Sequence, residues 1–179
     1  MKWRLLRSEP LLNTPWLRVF RNAYQKSVET VVEDYYLIER SDFVLVFAQR
    51  ESRIVLVRQY RPGTDEIYLG LPAGHFGLND SSPIEVAKRE LFEETGLTGT
   101  MFEVIGKLDP LPGYLKSRGF VVKCTIAEGS CISVRDDEIL EAVELPIDEV
   151  VNLVRSGTVK EMQAVAAILL AVEISRQPD

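Results

Sequence analysis

Alternating polarity and a high content of β-branched and aromatic residues predict strands over Leu17–Tyr24 and Thr30–Ile38. Phe43–Ala48 and Arg53–Tyr60 are two more apolar stretches. Only the short polar segment Gln49–Ser52 separates them, so they are predicted to form a hairpin. Further strands are predicted over Ile67–Leu71, Val104–Leu108, Phe120–Ile126 and Ala142–Leu145, with Asp109–Gly113 as a proline-rich turn. The period then changes. Ile147–Arg155, opened by Pro146 and closed by Ser156-Gly157, reads as a helix. A last helix starts at Val159 or Lys160 and carries Ala164, Ile168, Leu169 and Val172 as its apolar stripe. Strands mixed with a few helices imply an α/β or α+β fold.

One further helix holds the chemistry. Ser82-Pro83-Ile84-Glu85 is a helix start, with Ser at the cap, Pro in the first turn and Glu three residues on as a capping box. Gly96 supplies the left-handed residue that ends it. Val86, Ala87 and Leu91 make its apolar side. Glu90, Glu93 and Glu94 lie within about one turn of each other and project close together. Three like charges held so closely need a counter-charge, and a hard divalent cation bound through carboxylate oxygens supplies one. Glutamate-rich faces are also common on plainly solvated helices. This one is distinguished by its tight bounds and by Arg89, four residues before Glu93 and able to hold that carboxylate.

Bulk properties narrow the reading. With 179 residues the chain is long enough for one domain with a sizeable core. A net charge of −6 argues against a nucleic-acid surface but not against a nucleotide, whose phosphates a metal can neutralise. No apolar run reaches membrane-spanning length; the longest, Ala164–Ile174, suits a core helix, and the first residues carry no cleavable signal pattern. Cys124 and Cys131 make neither a disulfide framework nor a zinc pattern, so a reducing, cytoplasmic setting is expected. The single histidine, His75, excludes multi-histidine metal sites, and its position reads as a solvated loop.

Arg89-Glu90-Leu91-Phe92-Glu93-Glu94-Thr95-Gly96-Leu97, preceded by Leu71-Pro72-Ala73-Gly74, resembles the Nudix box, G-x5-E-x7-R-E-U-x-E-E-x-G-U with U a bulky aliphatic residue. The second half matches without exception. In the first half the family glutamate falls at Ser81, and Gly74 stands one residue too far upstream. Either the loop carries one inserted residue or Asp80 does the glutamate's work from one position earlier. The resemblance implies the Nudix fold, a mixed β core sandwiched between helices (residues 41–179), with an antiparallel β extension (1–40) that dimerises in relatives. It implies hydrolysis of a nucleoside diphosphate linked to another group, with Mg²⁺ as cofactor and Mn²⁺ as a substitute.

Arg58-Gln59-Tyr60-Arg61-Pro62 ahead of Leu71-Pro72-Ala73-Gly74, the N-terminal extension and the length resemble the ADP-ribose pyrophosphatase and nucleotide-sugar branch. Two branch features differ. Gly70 stands where a glutamate often precedes Leu-Pro-Ala-Gly, and Ser117 lies near where another often contacts substrate. ADP-ribose is therefore the leading substrate, with another nucleotide sugar such as GDP-mannose as the alternative. The resemblance makes Glu90 and Glu94 direct metal ligands and Glu93 a ligand or a bridge to water. Ala73 would add its carbonyl, and Arg89 would orient a carboxylate. Guanidinium groups suit phosphate and ribose, which points to Arg61 and, less directly, Arg58. The same resemblance lets Tyr114 stack on base or sugar, and Lys116 or Arg118 meet phosphate. Arg135–Ala142 resembles the acidic loop that supplies the general base in this branch, and Glu138, as base or extra ligand, then Asp136, are the choices. Two rival classes remain: a Nudix module that binds nucleotide without turnover, supported by Ser81 and the longer loop, and a house-cleaning hydrolase of oxidised nucleoside triphosphates, disfavoured by the N-terminal extension. No nucleic acid or membrane partner is expected, and homodimerisation follows from the resemblance alone.

Overall fold

The computed structural model describes residues 2–176, which divide into two compact units. The first comprises the residues up to Asp42 together with Asp109–Arg118. It is a four-stranded sheet in the order β1 (Arg4–Asn13), β2 (Arg18–Gln25), β3 (Val31–Glu39), β9 (Leu115–Lys116). The first three strands run antiparallel, and β9 joins β3 in parallel at Ile38 and Leu115. Trp3, Tyr24 and Tyr35 pack their rings together on it. The sequence pattern anticipated β2 and β3 but named no strand at β1. Two register shifts, between Leu5 and Arg7 and between Pro10 and Leu12, break its alternation. Pro10 is tolerated because β1 is an edge strand. The two-residue β9 is too short to leave a period.

The second unit, Phe43–Leu108 with the residues from Gly119 onward, contains the larger sheet. Its order is β11 (Ile139–Pro146), β5 (Arg53–Arg61), β4 (Phe43–Arg50), β10 (Gly119–Ile126), β8 (Gly99–Leu108). Strand β6 (Glu66–Gly70) pairs with β5, and the short β7 (Ala73–His75) pairs with β4. Strands β4 and β10 are parallel, and the other pairings are antiparallel. The expected β4–β5 hairpin is present, with Glu51 at positive φ in its turn.

Why this sheet is a sandwich follows from its pleat. Successive side chains point to opposite faces. Leu45 and Phe47 on β4, Ile54 and Leu56 on β5, and Val121 on β10 join one core. Val150 and Val151 of α2 (Ile147–Arg155) and Ala164, Ala167, Ile168, Ala171 and Val172 of α3 (Met162–Arg176) close that face. The residues in between, Val44, Val46, Ala48, Val55, Val122 and Cys124, join a second core against Val86, Ala87 and Leu91 of α1 (Pro83–Thr95). Covered on both faces, β4 reads as an unbroken apolar run. The fold is thus the mixed α/β arrangement anticipated from the pattern, with the β core sandwiched between helices as the Nudix resemblance implied. Two details of α3 differ. It begins at Met162, later than Val159 or Lys160, and Leu169 is exposed while Ala167 and Ala171 take the core positions. Small alanines let α3 approach the sheet closely, a signal that a search for large apolar residues passes over. No helix among the described residues is long and apolar enough to cross a membrane.

Candidate active site

Both ends of α1 are set locally. Ser82 has extended backbone and accepts the Glu85 N–H at 3.3 Å, and Pro83 occupies the first turn. The reciprocal arm of the capping box is shifted by one residue: Glu85 accepts from the N–H (3.3 Å) and hydroxyl (2.7 Å) of Ser81. These bonds hold the Glu85 carboxyl below its ordinary pKa. At the far end Gly96 takes φ 73° and donates to Phe92 O at 2.8 Å. A Cβ there would meet Ser133 O at 2.5 Å, so glycine is required twice over.

Arg89 ties the acidic face together. Its Nη1 donates to Glu90 Oε1 at 2.6 Å and to Glu93 Oε2 at 3.1 Å. Its Nη2 donates to the His75 carbonyl and to Asp80 Oδ2, each at 3.1 Å. Asp80 also accepts the Gly77 N–H at 2.7 Å, and these partners, the amide first, hold its carboxyl below the ordinary range. Asp80 is therefore the acid of the irregular loop that reaches Arg89, whereas Ser81 faces Glu85. His75 lies on β7, where its carbonyl serves Arg89 and its ring lies 5.7 Å from that of Phe43; it is a strand residue rather than a loop one.

The three glutamates are not equivalent. Glu93 is exposed, but Glu90 and Glu94 are buried, at 8% and 3% exposure. They sit against β7, whose Gly74 has no side chain to obstruct Glu90. A Cβ at Gly74 would lie 2.0–2.3 Å from the Glu90 carboxylate atoms. Glu94 Oε2 accepts the Ala73 N–H at 3.0 Å. Burial pushes the Glu94 carboxyl up to about 8; the Ala73 amide opposes this, while the charges of Glu90 and Asp136 add to it. Burial also raises Glu90, against the pull of Arg89.

Among the described residues no three such side chains are drawn together in a geometry that would hold a metal ion as they stand. The donor set nevertheless fits one. Glu90 and Glu94 are hard oxygen donors buried side by side, and the single charge of Arg89 is divided among Glu90, Glu93 and Asp80. In the metal-free protein the raised Glu94 carboxyl has a consequence for stability. Its pKa lies near 8 in the fold against an ordinary 4.5, so between these values the folded state binds more protons than the unfolded chain. Stability from this group is present at low pH and lost as pH rises through the folded value. With chelator present, the unfolding temperature is expected to fall between about pH 5 and pH 8. Added Mg²⁺ is expected to raise it more at pH 8 than at pH 6, because metal competes with the proton. A level profile in chelator would place Glu94 at an ordinary pKa.

Other anticipated residues fall as follows. Asp136 lies close enough to repel Glu90 and Glu94, and its Oδ1 accepts the Glu138 N–H at 2.8 Å. Glu138 accepts from Gln59 Nε2 at 3.0 Å. Phe92, Glu93, Arg135, Asp136, Asp137 and Glu138 line an open cleft of about 500 Å³ beside the acidic helix. Arg61 lies within electrostatic reach of Glu94 and pairs with Glu161 at 3.5 Å. Arg58 is engaged elsewhere, 2.8 Å from Glu141 on the neighbouring strand. Tyr114 and Arg118 belong to the first unit. There the Tyr114 backbone bonds Leu111 and Ile38, and the Arg118 N–H bonds Asp42 at 2.8 Å. Sequence reasoning passed over Gln59 and Glu161, neither of which has a local spacing that marks it.

A profile of the NUDIX domain matches residues 39–165. Among characterised relatives, the "Methanol dehydrogenase activator" of Bacillus methanolicus is 27% identical over 120 residues, covering 66% of this chain and 64% of its own. "ADP compounds hydrolase NudE" of Escherichia coli (strain K12) is 26% identical over 130 residues, 73% of this chain and 69% of its own. "ADP-ribose pyrophosphatase" of Bacillus subtilis (strain 168) is 29% identical over 126 residues, 66% of this chain and 64% of its own. The match thus spans about two thirds of each relative's length. A solved structure titled "Crystal structure of ADP compounds hydrolase" superposes with a TM-score of 0.83 at 22% identity, covering 97% of this chain and 94% of that one, a likeness of fold.

Proposed function

The chain belongs to the NUDIX domain family, and from that premise we propose that it hydrolyses the diphosphate linkage of a nucleoside diphosphate derivative, with ADP-ribose as the leading substrate. The observation that carries this reading is the buried pair Glu90 and Glu94, one against Gly74 and the other on the Ala73 N–H, with Arg89 spread over three acids. A surface helix that was merely acidic would leave both carboxylates in water. The names of two relatives, an ADP-ribose pyrophosphatase and an ADP compounds hydrolase, support the choice of substrate class. Other nucleotide sugars, GDP-mannose among them, are the alternative.

In this reading Glu90 and Glu94 hold Mg²⁺, or Mn²⁺ in its place, and Glu93 or the Ala73 carbonyl completes the set. When bound, the ion withdraws charge from the diphosphate and lowers the pKa of a coordinated water. Arg89 keeps Glu90 and Glu93 oriented. Arg61 meets the diphosphate, with Arg58 as the lesser candidate. Glu138, or Asp136 beside it, takes the proton from the attacking water. Water adds to one phosphorus and the bridging P–O bond breaks, so ADP-ribose yields AMP and ribose 5-phosphate. A homodimer is supported by the exposed leucines Leu5, Leu6, Leu11 and Leu12 on β1, set among charged and polar residues. A reducing, cytoplasmic setting agrees with the free Cys124 and Cys131.

The test is a hydrolysis screen with Mg²⁺ and with Mn²⁺ over ADP-ribose, GDP-mannose, UDP-glucose, NADH, diadenosine polyphosphates and 8-oxo-dGTP, with product identification. AMP and ribose 5-phosphate from ADP-ribose are expected. Turnover of another substrate alone would reassign the pocket, and metal-independent binding without any turnover would make the protein a nucleotide-binding module.

A further inference from the structure

Gln59 is a buried amide on a strand that otherwise presents charge at this end. It is 9% exposed, between the exposed Arg58 and Tyr60 on β5. A buried amide needs hydrogen-bond partners. Its Nε2 donates to Glu138 Oε2 at 3.0 Å, across 79 residues of sequence. Its Cα register partner is Ile139, the residue after Glu138, where the β11 ladder begins. Gln59 thus sits under the point at which the acidic loop enters the sheet.

The same loop is held at its other end. The Arg135 guanidinium lies 4.5 Å over the Phe92 ring on α1, the residue before Glu93. Between these anchors the loop bonds to itself. Asp136 Oδ1 accepts the Glu138 N–H at 2.8 Å, and Asp136 O accepts the Ile139 N–H at 3.2 Å. With Arg135 anchored on α1 and Glu138 on β5, the turn that starts at Asp136 lines the cleft together with Glu93.

We propose that Gln59 is a positioning residue that fixes the Glu138 carboxylate beside the acidic helix. The assignment rests on the reading of Glu138 as the group that receives the proton from water. The chemistry of the donor matters. A lysine or arginine at this position would pair with Glu138 and supply a full counter-charge. An amide orients one carboxylate oxygen without neutralising the group and leaves the other free. A carboxylate so held keeps its direction and its capacity to accept a proton.

The test uses Gln59→Met, which keeps the side-chain length and removes the donor. Amide hydrogen exchange at Glu138 and Ile139 is expected to quicken by about tenfold, the scale of one lost hydrogen bond to a charged group, with α1 unchanged. On ADP-ribose with Mg²⁺, kcat is expected to fall about ten- to a hundredfold with little change in KM. In a Glu138→Ala background Gln59→Met should have almost no further effect on kcat. Unchanged exchange in the loop, or losses that simply multiply in the double variant, would overturn the proposal. If Gln59→Met folds poorly, Gln59→Glu, which sets a like charge against Glu138, is expected to release the loop equally, and a protected loop there overturns it too. A wild-type protein that hydrolyses no substrate would instead defeat the proposed function and Glu138's part in it, while the exchange result would still decide whether Gln59 holds the carboxylate.

Discussion

Replacing Glu94 by Gln is expected to lower kcat on the preferred substrate by roughly three orders of magnitude while leaving the fold intact, the scale of losing a group on which transition-state charge stabilisation depends. The two halves of this expectation have separate causes. The amide is isosteric and keeps an oxygen to accept the Ala73 N–H, now at 3.0 Å from Glu94 Oε2. It also removes a carboxyl that burial pushes up to about 8, so the metal-free variant has no ionisation to resist at neutral pH. Unfolding temperature in chelator should therefore hold or rise. What is lost, on the proposed function, is a negative oxygen donor to the metal, which takes hard, anionic ligands. The gain in unfolding temperature on adding Mg²⁺ should shrink along with turnover. Steady-state kinetics and thermal unfolding with and without Mg²⁺ measure both. Turnover near the wild-type level would remove Glu94 from the metal site.

Gly74→Ala is expected to reduce turnover by about a hundredfold without unfolding the protein, since a displacement of about an ångström at a reacting centre is enough for that. Gly74 does not have a positive φ, so alanine fits its backbone. The new methyl would come within 2.0–2.3 Å of the Glu90 carboxylate, and no other neighbour approaches as closely. A carboxylate at the end of a flexible chain can swing aside, so the fold yields little. In doing so Glu90 leaves the 2.6 Å bond to Arg89 and the position beside Glu94. The effect should appear in kcat and in the Mg²⁺ concentration needed for half-maximal activity, with the unfolding temperature in chelator within a few degrees of wild type. A large loss of stability with normal activity in the folded fraction would show that Gly74 serves packing alone.

Much of the site was legible because α1 is specified locally. Its caps, proline and left-handed glycine act within a few residues, and helical spacing alone puts Glu90, Glu93 and Glu94 on one side with Arg89 among them. The strands were legible for a similar reason, from alternation and from apolar runs such as that of β4, whereas the sandwich followed from the Nudix resemblance and not from the period. Strand β1 was missed because its bulges shift the period, and Leu169 was misplaced because alanines carry the contact of α3. The irregular loop was legible only as two alternatives, Asp80 or an inserted residue. Contact with Arg89 favours Asp80, and Ser81 is absorbed into the cap of α1.

By itself the sequence determined that one tightly bounded helix carries three clustered carboxylates and an arginine, and that the chain mixes several strands with a few helices. These are consequences of backbone geometry repeated every two or 3.6 residues. Only the tertiary structure decided which carboxylates lose water. Glu90 and Glu94 are buried because β7 lies against them, with Gly74 leaving room for Glu90 and the Ala73 N–H meeting Glu94, while Glu93 on the same turn stays exposed. Only it decided that Arg58 is engaged by Glu141 and that Glu138 meets Gln59. Burial and charge pairing depend on distance in space, and the partners here lie 16 to 83 residues apart in the chain.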